Sequence, residues 1–334
     1  MKKLICLLCL TYVSISFASP QIAKVLIVKG KVTYLAPGSK EAKLLTKKSK
    51  LVKDTSIYVD GKGFTRIKYI NSSFLTVGPN SKVILDMDLK DKTSLVNLVS
   101  GKIRALVDKN KNNDKKFLVK TNSATMGVRG TEFQVSFAPK AKKTSLLTYE
   151  GRVDMKKSKK NVTQTIKEMK TNLETNQTSV VKGDLFRVSA TDIKKVDKVK
   201  INPKQFLLMK KDESMGAKKV EIANSEMNEI NAEARELEKE FKADSNNTET
   251  KALGFVDFDK GVYVPPVDGN KLLGTADSNG TYVPPKGIVV DESKGLIIQE
   301  NASTKMKNII KKVNKSNVVP VASPSNAYDR YFDV

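Results

Sequence analysis

From Gln21 to about Val188 the chain runs as short apolar segments broken by clusters of Gly, Asn, Asp and Lys, with β-branched residues common and no sustained helical period. Ile22 to Val28, Phe64 to Ile70, Val83 to Met87, Thr131 to Phe137 and Ser145 to Tyr149 are of strand length, and short apolar runs bounded by turn residues predict strands. Asp60-Gly61, Gly78-Pro79-Asn80 and Glu150-Gly151 supply turns, because Gly permits positive φ and Pro fixes its own. The pattern predicts an all-β domain over residues 19–201. Its run lengths fit either an antiparallel sandwich or a short β-solenoid.

After Pro203 the period changes. Val220, Ala223, Met227, Ile230, Ala234, Leu237 and Phe241 follow the alternating three-four spacing of a heptad seam, which predicts a long helical segment within 203–243. A coiled-coil homodimer would need opposite charges beside that seam. The flanks instead carry Glu226, Glu233, Glu238 and Glu240, with no Lys or Arg, and Glu233 would face Glu238 of a second copy. An acidic helix next to a basic domain favours docking within the chain, with Met227, Ile230, Leu237 and Phe241 as the buried stripe; a grip on a different protein is the alternative.

From Asp244 to Val334 Asn, Ser, Thr, Gly, Pro and Val dominate, a low-complexity composition that predicts a mostly disordered tail. The tail contains a repeat. Gly261-Val262-Tyr263-Val264-Pro265-Pro266 returns as Gly280-Thr281-Tyr282-Val283-Pro284-Pro285. Two prolines hold an extended conformation, so the repeat reads as a spacer. The tyrosine at the same place in each copy adds a second reading, in which Tyr263, Pro265, Pro266, Tyr282, Pro284 and Pro285 contact a partner.

The remaining chemistry narrows the function. Met1-Lys2-Lys3, an apolar stretch from Leu4 to Phe17 and Ala18 have the form of a cleaved export signal over residues 1–18, too short to span a bilayer. Both cysteines, Cys6 and Cys9, fall inside it, and the chain has no His and no Trp. Thiol nucleophiles, disulfides, His-based triads and His/Cys zinc sites are thereby excluded from the mature chain. No cofactor is expected. A pair of carboxylates would suffice for a glycosidase, yet no such pair stands out. Charge divides unevenly: residues 19–200 carry a net +23 and residues 201–334 a net −1. A field of that size attracts anionic partners, and without a helix-turn-helix or base-stacking aromatics nucleic acid is disfavoured.

The run Phe117-Leu118-Val119-Lys120-Thr121-Asn122-Ser123-Ala124-Thr125-Met126-Gly127-Val128-Arg129-Gly130-Thr131-Glu132-Phe133-Gln134-Val135 resembles the signature stretch of FecR-like (ferric-citrate regulator type) domains. Gly30-Lys31-Val32, Ser72 to Ser81, Gly101-Lys102-Ile103 and Tyr149-Glu150-Gly151-Arg152-Val153 follow in the family's order, and Glu174 to Val181 resembles its closing element. The resemblance implies a β fold and an envelope interaction module. Well-known members relay a signal to a sigma factor through a membrane helix. This chain shows neither the helix nor a sigma-binding region before the domain, so that role is not carried over. Arg129, Gly130 and Thr131 are expected to be structural, with Glu132 or Glu150 as ion-pair partners of Arg129.

The sequence therefore leads to a non-enzymatic, exported module, periplasmic or at the cell surface. It would act through contacts with envelope proteins and have no transmembrane segment once the signal is removed. The alternative is a binder of anionic envelope polymer, lipopolysaccharide or acidic glycan, through the basic domain.

Overall fold

The computed structural model describes residues 19–109, 117–158, 164–175, 177–189, 196–243, 253–267, 271–299 and 303–317. The expected signal at 1–18 lies outside them.

Seventeen strands make one continuous sheet. They are β1 (Gln21–Lys29), β2 (Val32–Leu35), β3 (Lys43–Leu44), β4 (Leu51–Val52), β5 (Ser56–Val59), β6 (Phe64–Tyr69), β7 (Phe74–Val77), β8 (Ser81–Asp88) and β9 (Thr93–Leu106). The rest are β10 (Phe117–Lys120), β11 (Ala124–Val128), β12 (Glu132–Ala138), β13 (Lys143–Glu150), β14 (Arg152–Lys157), β15 (Thr178–Val181), β16 (Asp184–Ser189) and β17 (Val196–Lys200). The sheet folds over into two layers. Layer one runs β4-β1-β6-β7-β9-β12-β13-β16-β17. Layer two runs β3-β2-β5-β8-β9-β10-β11-β14-β15. Every pairing is antiparallel except β9 with β10.

Strand β9 belongs to both layers. Residues 93–100 pair with β8, and residues 101–106 with β12 in the other layer. The strand turns between them at Gly101, where φ is +83° and a Cβ would lie 2.5 Å from the Asn80 carbonyl oxygen, a place for glycine alone. The chain also changes layer near Gly30, Gly63, Gly78, Gly130, Gly151 and Gly183. Of the two expected architectures, the sandwich is the one formed. Ile22, Ile67, Leu75 and Phe133 of layer one meet Ile57, Val83, Val96 and Phe117 of layer two in one core. Tyr69 and Phe133 both meet the ring of Phe117 edge to face, at 5.8 and 6.3 Å.

Helix α1 (Ile166–Glu174) begins in a capping box: the Thr165 hydroxyl accepts from the Glu168 N–H, and the Glu168 carboxylate accepts from the Thr165 N–H. Its Met169 and Leu173 cover Leu95 and Leu118 on the outside of layer two. The segment expected to be helical over 203–243 is two helices, α2 (Pro203–Lys211) and α3 (Asn224–Ala243). Asn202 caps α2, whose first residue is Pro203. The break follows from Asp212, whose carboxylate takes the Ser214 and Gly216 N–H groups and so rewards a turn over another helical residue. Val220 and Ala223 accordingly precede α3.

Between residues 253 and 317 the tail holds more structure than its composition predicts. Three hairpins, β18–β19 (Phe255–Asp257, Val262–Val264), β20–β21 (Thr275–Ala276, Tyr282–Val283) and β22–β23 (Ile288–Asp291, Gly295–Ile298), are followed by α4 (Thr304–Asn317). Phe255, Val262, Tyr282, Ile288, Leu296, Ile310 and Val313 give them a core of their own. The three loops use one device. Asp257, Asp277 and Asp291 each accept backbone N–H groups from two to four residues ahead, and Gly261, Gly280 and Gly295 close the loops at positive φ. An average over such short pieces looks like low complexity, although each piece carries its turn chemistry. Residues 318–334 lie outside the described ones.

Candidate interaction site

The signature residues build a corner. Gly130 has φ +58°, and the Thr131 hydroxyl lies 2.9 Å from both the Arg129 and the Arg152 carbonyl oxygens, tying the β11–β12 turn to the β13–β14 turn. A Cβ on Gly151 would sit 2.7 Å from the Gly130 carbonyl, so the two turns are packed backbone to backbone. Arg129 is exposed at this corner, while the Glu132 carboxylate is held at 2.6 Å by Arg104.

Arg104 is a structural residue that the sequence pattern hides. Its guanidinium lies 4.5 Å over the Tyr149 ring and donates to Glu132 and to the Met209 and Lys210 carbonyls at the C-terminal end of α2. A helix end leaves carbonyls unpaired; this cation satisfies them and complements the dipole there. In the strand, Arg104 falls on the face opposite Ile103 and Ala105, a position that alternation reads as solvent. Burial, with Glu132 and Asp212 nearby, pushes the Tyr149 hydroxyl well above its ordinary pKa against the opposing pull of Arg104, and it donates to Gln134 at 2.9 Å.

Over β12, β13 and β16 the outside of layer one is thereby closed by the chain itself, while Lys24, Lys68 and Leu106 stay exposed further along it. Phe206, Leu208, Ile230, Leu237 and Phe241 pack on Leu147, Tyr149 and Leu185. The helix stripe docks within the chain, as the charge argument expects: Ile230, Leu237 and Phe241 are buried and Met227 is partly so. Phe241 is fully buried over Gly183, at right angles to Phe206 with 5.6 Å between ring centres. Glu240 pairs with Lys182 and Glu226 with Lys211.

The repeat tyrosines are not exposed anchors, which corrects that reading. Tyr263 and Tyr282 are 5% and 4% exposed. Tyr263 accepts from the Gly254 N–H, and Tyr282 donates to the Leu273 carbonyl, so each ring closes its own hairpin against a residue nine positions earlier. Burial pushes the Tyr263 hydroxyl up to about 12. Pro265, Pro266, Pro284 and Pro285 are half-buried behind them. Gln205 of α2, fully buried, holds two hairpins at once: its side chain bonds both backbone groups of Val256 and the Gly280 carbonyl. Asn279 reaches from the second loop to Asp212 and the Lys218 carbonyl.

The outside of layer two differs. Helix α1 covers one end and leaves two cross-strand rows uncovered. In the first, Leu44, Thr33, Tyr58 and Lys82 stand side by side, with Leu44 65% and Tyr58 49% exposed. In the second, Leu35, Ser56, Ile84 and Asn97 are half-buried. Apolar and aromatic side chains on a sheet face rimmed by lysine are the composition of a contact surface. No sequence motif marked Leu44 or Tyr58; they are visible once the register places them in one row.

Residues 55–154 match the family model described as FecR protein. Over those residues the sandwich is similar to a FecR domain. Layer one from β6 to β13 falls inside the match, as do Ser56, Tyr58, Lys82, Ile84 and Asn97 of the open rows, whereas Thr33, Leu35, Leu44, α2, α3 and the hairpins lie outside it. The FecR family is regulatory and non-enzymatic, and the match supports a regulatory or sensory module. Two crystal structures, each of a candidate anti-sigma factor from Parabacteroides distasonis ATCC 8503, are similar to the chain. One has 12% identity and a TM-score of 0.37, covering 47% of this chain and 64% of its own. The other has 10% identity and a TM-score of 0.38, covering 77% and 91%. No curated protein matches. Among the described residues no helix is long and apolar enough to cross a membrane, and no group of three metal-ligating side chains comes together.

Proposed function

We propose that the protein is an exported cell-envelope module of FecR type that acts by binding another protein on the outer face of layer two. The observation that carries this is the asymmetry of the domain. Over β12, β13 and β16 one outer face is covered by the chain's own helices and hairpins, whereas the other presents Leu44, Thr33, Tyr58 and Lys82 in one uncovered row. The export form of residues 1–18 supports a place in the envelope, in the periplasm or at the surface.

The test is a photocrosslinking amino acid at position 58 in the full chain, in cells of the producing organism, with one at exposed Lys239 of α3 as a control. Discrete protein adducts at 58 and none at 239 are expected. Adducts equal at both positions would overturn the reading. The net +23 of residues 19–200 favours a second reading, a binder of lipopolysaccharide or acidic glycan. It requires crosslinks to polymer spread over the lysines, and association that weakens steeply with salt.

A further inference from the structure

The end of the molecule carries a groove that neither the FecR match nor the sandwich accounts for. It lies between β23 and α4, has a volume of about 590 Å³, and is lined by Leu296, Ile297, Ile298, Ile310 and Asn314 with Lys294, Lys307, Lys311 and Lys315. No carboxylate lines it. Lys307, Lys311 and Lys315 are four residues apart, so they form one ridge along α4, beside a parallel ridge of Ile310 and Asn314.

The floor of this groove is a strand edge. The β22–β23 register pairs Val289 with Ile297, and the Gln299 N–H bonds the Gly287 carbonyl. In an antiparallel ladder bonded and non-bonded pairs alternate. Leu296 and Ile298 therefore turn their backbone groups away from β22, toward α4. At Leu296 the Asn314 amide takes the place of a neighbouring strand: its oxygen accepts the Leu296 N–H at 2.7 Å and its nitrogen donates to the Leu296 carbonyl at 2.8 Å. Two residues on, Ile298 faces the groove with no such partner among the described residues, in a half-buried setting.

We propose that this groove binds an extended acidic segment of another protein by strand addition to β23. The segment's backbone continues the ladder at Ile298, apolar side chains lie on Ile297 and Ile310, and its carboxylates meet the lysine ridge. An open edge beside a helix is a recurrent peptide-binding arrangement, and the all-positive rim sets the sign of the ligand. A phospholipid headgroup satisfies the lysines and leaves the Ile298 N–H unpaired. The proposal rests on the reading of the chain as a protein-binding module. It uses a different surface, so the Tyr58 crosslink and the present test succeed or fail separately.

The probe is a synthetic peptide of alternating Asp and Val or Ile, seven residues long, titrated into the full chain by NMR and calorimetry. Micromolar binding is expected, with shifts confined to β23 and α4. The K307E/K311E variant, both sites being exposed, should bind at least about tenfold more weakly, as should a peptide N-methylated at its central residue. Equal binding of the methylated peptide would overturn strand addition. Preferential binding to vesicles of anionic phospholipid would replace the peptide by a membrane. Binding that appears only in a chain ending at Asn317 would name the chain's own last residues as occupant, and would equally overturn the proposal.

Discussion

At Gly101 the missing side chain is what lets one strand serve two layers, and Gly130 performs a related task at the signature corner. The obstacles to a Cβ differ. At Gly101 it would meet backbone at 2.5 Å, and at Gly130 a side-chain carbon, Lys109 Cγ, at 2.3 Å, which a change of the lysine rotamer can move. Gly101→Ala should therefore cost roughly 2–4 kcal/mol, and Gly130→Ala only about 1–2 kcal/mol from the left-handed backbone. Gly130→Val, with a β-branched side chain at positive φ, should unfold or misfold the domain. Thermal melts rank the three, and an unchanged melting temperature for Gly130→Val would refute the corner role. The turn chemistry of these glycines was legible in the sequence. Their use as layer crossings was not, because a period of two separates inward from outward without saying which sheet a strand joins. Arg104 was illegible for a similar reason: an outward position reads as solvated until a helix covers it.

Titration gives a further residue-scale test. Burial in the first hairpin loop raises the carboxyl of Asp257, although the Lys260 N–H it accepts pulls the other way. A carboxyl raised by folding binds its proton more tightly in the native state. Its contribution to stability is then greatest at acid pH and falls as pH rises from the ordinary carboxylate value through the raised one. Asp257→Asn keeps the acceptor oxygen and removes that fall. The variant should match the parent at pH 3 and gain on it steadily toward neutrality in parallel melts.

Among the elements, α3 shows how far a seam and a charge count reach. The heptad spacing and the glutamates predicted docking within the chain, and Ile230, Leu237 and Phe241 dock. The break at Asp212 was missed because helical spacing on both sides of it conceals a side chain that bonds a turn. Phe241→Ala opens a cavity over Gly183, at a cost of about 3–5 kcal/mol in this region. Hydrogen exchange should then show α3 deprotected while β9 stays closed; protection of α3 at parental levels would contradict the anchoring role. The hairpins depend on Gln205 in the same way. Gln205→Ala leaves the Val256 N–H and carbonyl buried without partners, at roughly 1–3 kcal/mol for each group, and proteolysis within 253–299 should accelerate with the sandwich intact.

For the whole molecule, the seam that would have joined two copies is used up inside one. Sedimentation equilibrium should report a monomer through α3, and a dimer lost on Phe241→Ala would contradict that arrangement. Burial of the two tyrosines revises the tail from a string of anchors to a set of closed units, each loop tied by its own aspartate and the first two by a tyrosine reaching back nine residues. Units closed so locally are easily duplicated or deleted, since gaining one disturbs no pairing in the sandwich. Related chains are expected to vary in length here by whole hairpins, and to keep Gln205 wherever at least the first remains. Such a chain would lengthen or shorten its reach over evolutionary time while the domain that it extends from stays the same.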